Sequence, residues 1–332
     1  MRNEANEEAV QCVDEPMPVH SSLISSRKMP CQPDFYLLVV AHPDDESMFF
    51  SPTICELLGQ HQSVHILCLS NGNYDGLGKT REVELVRAVE VLGISPARNH
   101  VTCLDVGQFQ DGPKEVWEAG DISRAVWSEI SRILQPGDAT SGTATKDRSG
   151  CNVAIITFDE RGVSSHPNHI DVCKGVRYMA SRDRSRKIHN NVNVSVCVWE
   201  LSSITNPLTK YCPFVEWIPM LVGCLWRLIN SFAGLILAGR LYRDGGCGGH
   251  SDHSKRLRYI EVPTSDARST TWNCRIFRPL LIWRAMAAHH SQFVWYRRLS
   301  ILFSRFSYHN VLRLHAPGDQ IQNQNSTSKK GE

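Results

Sequence analysis

Residues 36–50, YLLVVAHPDDESMFF, decide the fold. The run from Tyr36 to Ala41 is apolar and rich in strand-forming types, which is how a strand buried on both faces reads. It then breaks into one histidine, one proline and three consecutive acids before turning apolar again. Charges placed directly against a buried strand lose hydration, so a chain retains them there for a reason.

The same alternation continues outward from this stretch. Strand-like runs fall at 64–70 (VHILCLS), 101–104, 153–158 (VAIITF) and 194–199 (VSVCVW), with helical patterns at about 49–59, 81–92, 121–134 and 169–180. Strands alternating with helices predict an α/β fold, a Rossmann-like and mostly parallel sheet with helices on both faces. In such sheets ligands bind beyond the carboxyl ends of the strands. Three polar loops sit at those ends: AHPDDE after the first strand, NGNYDGLGKTR after the second and DERGVSSHPNH after the fourth. They are expected to converge on one rim.

The chain has 332 residues, 42% of them hydrophobic and 21% charged, which is enough for a sizeable core. We read 1–34 as a disordered leader, 35–205 as the catalytic α/β domain, 206–316 as a helical, partly apolar C-terminal extension and 317–332 as a disordered tail. Within the extension lie an apolar segment at 217–239, a glycine-rich insertion at 243–256 and a basic amphipathic helix at 289–306. Residues 139–150 and 181–190 read as polar loops. Segment 217–239 approaches the ~20 residues of a membrane span, yet Arg227 near its middle leaves insertion only marginally favourable. In 289–306, Trp295, Leu299, Leu302 and Phe306 recur at helical spacing beside Arg297, Arg298 and Arg305; the stripe suits core packing or a membrane surface. Twelve cysteines without a C-x-x-C pair favour a reducing compartment. No recognition motif accompanies the basic C-terminal region, so no nucleic-acid partner is expected.

His42 and Asp45 are separated by two residues at a turn into a helix, and Pro43 restricts His42 to an extended conformation. One imidazole and one carboxylate suit zinc, with another divalent metal as the alternative. Asp44 or Asp45 could instead merely cap the following helix. The stretch SHPNHID, residues 165–171, repeats the pattern after another strand, and His169 completes a His, Asp, His ligand set with an open fourth position. A metal-activated water still needs a base, which Asp44 can supply, while His166 can stabilise an oxyanion or protonate a leaving amine. That chemistry suits amide hydrolysis. The alternative for this loop is a pair of surface histidines with Asn168 as a turn residue. Arg81, opening the helix after NYDGLGKT, suits a phosphate or several hydroxyls, or else pairs with Glu84 or Asp75.

Together AHPDDE, SNGNYDGLGKTREVEL and TFDERGVSSHPNHI resemble the PIG-L/LmbE-like zinc-dependent N-acetylglucosaminyl deacetylases. HHSQFVWYRRLSILFSRF (289–306) is similar to the C-terminal signature of their eukaryotic branch, the N-acetylglucosaminyl-phosphatidylinositol de-N-acetylases of glycosylphosphatidylinositol (GPI) anchor biosynthesis. The resemblance covers roughly 35–205 and 280–315. It implies metal positions at His42, Asp45 and His169, a general base at Asp44, a second catalytic histidine at His166 and a substrate-binding arginine at Arg81. It also implies a glycolipid substrate met at the cytoplasmic face of the endoplasmic reticulum membrane. Where many bacterial relatives have an aspartate, this chain has Asn168, so a carboxylate partner for His166 must come from elsewhere, Asp159 being the candidate. Two other readings are a soluble deacetylase of a different glucosamine conjugate and a non-catalytic scaffold subunit of a membrane complex.

Overall fold

The computed structural model describes residues 33–135, 150–188, 192–212, 271–275 and 278–315, with 222, 225 and 226 besides. Residues 1–32 of the leader, segment 217–239 apart from those last three residues, insertion 243–256 and the tail lie outside the described residues.

The six residues FYLLVV form β1 (Phe35–Val40), buried throughout. Around it stand β2 (Val64–Cys68), β3 (Val101–Cys103), β4 (Gly150–Phe158), β5 (Ser185–Ile188), β6 (Val192–Leu201), β7 (Thr271–Arg275) and β8 (His309–Leu314), in the order β3-β2-β1-β4-β6-β8-β7, with β5 also on β6. The pairings from β3 through β6 along that order are parallel. β5 and β8 lie antiparallel to the two halves of β6, and β7 lies antiparallel to β8. The expected α/β class with a mostly parallel sheet is observed. The order reverses between β1 and β4, the switch point beyond whose strand ends such sheets form their ligand crevice. AHPDDE and DERGVSSHPNH leave the two strands that flank it.

Helices α1 (Asp45–Phe49), α2 (Ser51–Gly59), α3 (Gly78–Leu92), α4 (Ala97–His100), α5 (Ala119–Ile133), α6 (Gly162–Ser165), α7 (Pro167–Arg182) and α8 (Pro207–Tyr211) connect the strands, followed by α9 (Pro279–Ala288) and α10 (Trp295–Phe303). α5 packs on α7, and α9 packs on α3.

Three features depart from the sequence reading. Residues 185–188, placed in a loop because they are polar, pair with β6 as an edge strand whose exposed face tolerates Ser, Arg and Lys. The C-terminal extension is not only helical: β7 and β8 enlarge the sheet. Finally, 289–306 is not one helix. It comprises a 3₁₀ turn at His290–Gln292, then α10, then a second turn at Arg305–Ser307. Phe306 therefore leaves the helix to enter the core, whereas Trp295, Leu299 and Leu302 face outward.

Asn310 of β8 ties this late segment to the beginning of the chain. Its amide nitrogen donates to the Phe49 and Phe306 carbonyls at 2.8 and 3.2 Å, and its oxygen accepts from the Thr53 N–H and hydroxyl at 3.2 and 2.7 Å. Every polar atom of a fully buried amide is thereby satisfied.

Candidate active site

Asp45 begins α1, but its carboxylate caps no helical N–H. Oδ2 turns back to accept from the Ala41 and His42 N–H groups at 3.1 and 2.8 Å, which leaves Oδ1 for His169 Nε2 at 3.1 Å. Asp44, the N-cap residue, makes no side-chain cap bond either. The capping alternative for this motif fails on geometry. Asp44 is instead held at φ 125°, a conformation that costs a non-glycine residue of order 1–3 kcal/mol.

His169 comes from the first turn of α7 and stacks on Phe158 of β4, with centroids 4.1 Å apart. Its Nδ1 lies 3.0 Å from the Gly162 carbonyl. With Nδ1–H donating there, Nε2 points at the Asp45 carboxylate. Gly162, at φ +57°, is required for this approach: a Cβ would lie 2.9 Å from that of His169. Val163 and Ser165 also have positive φ, so the whole loop is strained around its histidines.

The rings of His42, His166 and His169 lie with centroids 5.0, 5.7 and 4.9 Å apart. Each offers a nitrogen, all within 4.8 Å of one another. These three imidazoles form the candidate metal group among the described residues; Asp45 is bonded to one of them and lies 4.0 Å from His42 Nδ1. The sequence-derived set of His42, Asp45 and His169 and this three-histidine set share two members. The donors fit a divalent cation. An imidazole whose Nδ1–H is fixed by a carbonyl presents its Nε2 lone pair, and that lone pair here faces a carboxylate. Either a proton on Nε2 or a shared metal ion reconciles two such acceptors.

Each member of this pair favours the charged form of the other. Burial alone would raise the Asp45 pKa, but His169, the hydrogen bond to it and His42 hold it well below the usual carboxylate range. Burial would lower His169, and Asp45 outweighs it, so that its pKa rises. His166 is pushed down to about 4, by burial first and then by the neighbouring His169 and His42. Its Nδ1 has no hydrogen-bond partner among the described residues.

Arg81 is buried, its two terminal nitrogens are engaged, and its Nε has no hydrogen-bond partner among the described residues. It donates to the Gly72 carbonyl at 2.9 Å and the Pro43 carbonyl at 2.8 Å, and lies 3.6 Å from both Asp44 and Asp111. Its expected partners Glu84 and Asp75 are not the ones it meets; Glu84 binds Ser291 instead. The guanidinium staples the loops after β1 and β2 together rather than lying open to a phosphate. Gly72, at φ +68°, makes room for it, since a Cβ would stand 2.2 Å from its Nη1.

Asp159 does not serve His166. Its oxygens accept from the Ser203 N–H and hydroxyl at 2.6 and 2.5 Å and from Arg161 N–H at 3.1 Å. The site carboxylate that sequence reasoning missed is Asp111, 3.1 Å from His42 Nε2 and held below its usual range: burial opposes the shift, and His42 and Arg81 outweigh it. Its signal was its place, in the polar stretch after the third strand. Glu46, His289 and Arg297 were also missed as site neighbours. His289 Nε2 lies 2.7 Å from Glu46 Oε1, and Arg297 donates to the Asp44 carboxylate.

The family model PIG-L, described as GlcNAc-PI de-N-acetylase, matches residues 37–180. The chain is 32% identical over 278 residues to the probable N-acetylglucosaminyl-phosphatidylinositol de-N-acetylase of Schizosaccharomyces pombe, covering 83% of this chain and 85% of that one. It is 32% identical over 279 residues to the N-acetylglucosaminyl-phosphatidylinositol de-N-acetylase of Bos taurus, covering 83% and 81%.

The chain belongs to the PIG-L family.

A solved structure of a deacetylase triple mutant involved in teicoplanin biosynthesis is more distantly similar, at 12% identity and a TM-score of 0.44, covering 84% of this chain and 97% of that one. The PIG-L match at 37–180 contains His42, Asp44, Asp45, Arg81, Asp111, His166 and His169. His289, Ser291 and Arg297, which touch Glu46, Glu84 and Asp44, lie beyond it.

Proposed function

We propose that this chain hydrolyses the acetamide of N-acetylglucosaminyl-phosphatidylinositol to acetate and glucosaminyl-phosphatidylinositol, the second step of GPI-anchor biosynthesis. The observation that carries the reading is the meeting of His42, Asp44 and Asp45 from one crevice loop with His166 and His169 from the other. The substrate comes from the names of relatives that match most of the chain.

His42, Asp45 and His169 would hold a divalent ion, zinc suiting the mixture of imidazole and carboxylate. When bound, that ion supplies Lewis acidity toward the amide carbonyl and makes water more acidic. Asp44 accepts the proton of the attacking water and returns it to the departing amine. His166, whose Nδ1 is unspent, is the ring available to donate to the developing oxyanion. Arg81 fixes the loops that carry these groups.

A lipid substrate needs a surface that meets the bilayer. α10 turns Trp295, Tyr296, Leu299 and Phe303 outward, α8 beside it adds Leu208 and Tyr211, and Arg298 and Lys210 lie among them. Apolar side chains flanked by cations suit an anionic interface, here the cytoplasmic face of the endoplasmic reticulum. No helix among the described residues is long and apolar enough to cross a membrane.

Acetate release from N-acetylglucosaminyl-phosphatidylinositol by the purified chain, with and without chelator, tests the reading. Chelator-sensitive release supports it. Equal turnover of a lipid-free glucosaminyl-inositol conjugate would move the assignment to a soluble-substrate deacetylase, and no release from the metal-loaded protein would overturn it.

A further inference from the structure

Residues 289–297, from the end of α9 into α10, set His289, Ser291 and Arg297 against Glu46, Glu84 and Asp44, with Gln292 on Arg297. His289 is fully buried, and its Nε2 meets Glu46 Oε1 at 2.7 Å. Glu46 is equally buried; its Oε1 also accepts from the Ser47 hydroxyl at 2.6 Å, and its Oε2 accepts the Asp44 N–H at 3.1 Å. Arg297 donates to the Asp44 carboxylate, and Gln292 accepts from the same Arg297 nitrogen at 2.8 Å. Ser291 gives both its N–H and its hydroxyl to Glu84 of α3, at 2.8 and 2.6 Å. That helix also carries Arg81.

A buried carboxylate is stable only when paired, and Glu46 is paired to one residue more than 240 positions away and to the main chain of Asp44. Asp44 sits in a backbone conformation that a non-glycine residue does not keep unaided. One end of Asp44 is thus gripped through Glu46 and the other by Arg297, and both grips originate in the same nine residues.

We propose that segment 289–297 is the positioning element of Asp44. His289, through Glu46, fixes the Asp44 main chain, and Arg297 aims its carboxylate. The catalytic consequence rests on reading Asp44 as the base; the mechanical clamp does not.

Hydrogen exchange and kinetics on the full-length protein separate these. His289→Ala should speed amide exchange across residues 44–48 about tenfold or more while β4 amides keep their protection. It should also lower kcat up to about 10²-fold, as a base displaced by about 1 Å would, with KM within about twofold and metal content unchanged. His289→Gln, which keeps a donor for Glu46, should recover much of both losses. Arg297→Ala should lower kcat without altering exchange at 44–48. His289→Ala with unchanged exchange there, or with β4 loosened equally, would overturn the clamp, as would failure of His289→Gln to outperform His289→Ala. If the wild-type chain releases no acetate, the activity reading fails alone and the exchange result still decides the clamp.

Discussion

Two regions reach Asp44, and they do so by opposite means. The loops after β1 and β4 bring it among imidazoles through short connections that follow from the switch point of the sheet. The segment 278–315 reaches it across some 250 residues of sequence, through antiparallel strands, the four bonds of Asn310 and the bonds of His289 and Arg297. The first region selects the chemistry and the second restrains it. Effects of substitution should therefore differ in kind: loss of turnover or metal in the loops, loss of precision or docking in the C-terminal segment.

The largest effect expected is Asp44→Asn, which should cut acetate release about 10³-fold with fold and metal retained. That is beyond what any single change in 289–297 should cause. A loss under about tenfold would move the base elsewhere and break the distinction between the regions. Next come the metal ligands. Asp45→Ala and His166→Ala separate the two candidate sets: if His42, Asp45 and His169 hold the ion, Asp45→Ala abolishes stoichiometric metal and His166→Ala keeps it while losing turnover. The reverse pattern, read by elemental analysis of the purified variants, would give the site to the three imidazoles.

Arg81→Met should cost about 3 kcal/mol of stability, measured by urea denaturation, because the Gly72 and Pro43 carbonyls lose their charged donor while Asp44 keeps only Arg297 and Asp111 only His42. Arg81→Lys should recover little, since one ammonium cannot fork to the Gly72 and Pro43 carbonyls while facing both acids. A marginal loss in Arg81→Met would show that the loops after β1 and β2 stand without the staple.

These contrasts follow how each region reads in sequence. The charges at 42–46 and 166–169 interrupt apolar strands, so both their importance and their convergence are visible before any coordinates. Asp111 follows a three-residue strand with little apolar signal, and it emerges only when β3 is placed beside β2. Glu46 looks like the third member of an acidic run, and nothing local says that it turns inward to a histidine near the other end of the chain. Trp295, Leu299, Leu302 and Phe306 share a helical period, but Ser304 starts a new turn, so periodicity alone groups one core residue with three exposed ones. Local pattern is legible; pairing across the sheet order is not.

Below these effects lies an acid sensitivity that belongs to the scaffold and to neither route. Burial, then His100 and Arg132, push His65 of β2 down from 6.5 to about 3. Between those values the unfolded chain binds a proton that the folded chain does not, so this contribution is complete above pH 6.5 and is lost as pH falls toward 3. At pH 5 the loss should be about 2 kcal/mol. His65→Leu should flatten the urea-measured stability between pH 7 and 5; an unchanged slope would place the acid sensitivity elsewhere.

The smallest effect concerns the outer face of α10, where the C-terminal region would act on the bilayer rather than on Asp44. Trp295 is 71% and Leu299 47% exposed, while Ile301 of the same helix is buried. Arg297 is a poor probe of this face, because changing it also frees Asp44. The double variant Trp295→Ser, Leu299→Ser touches only the outward side. It should weaken binding to phosphatidylinositol-containing vesicles about tenfold, with kcat on a detergent-dispersed substrate unchanged. Loss of kcat along with binding would mean that the outer face and the Asp44 clamp are mechanically one unit. Unchanged vesicle binding would take this face away from the lipid and leave α10 with its inward role alone, a helix whose purpose is to hold an arginine against a carboxylate.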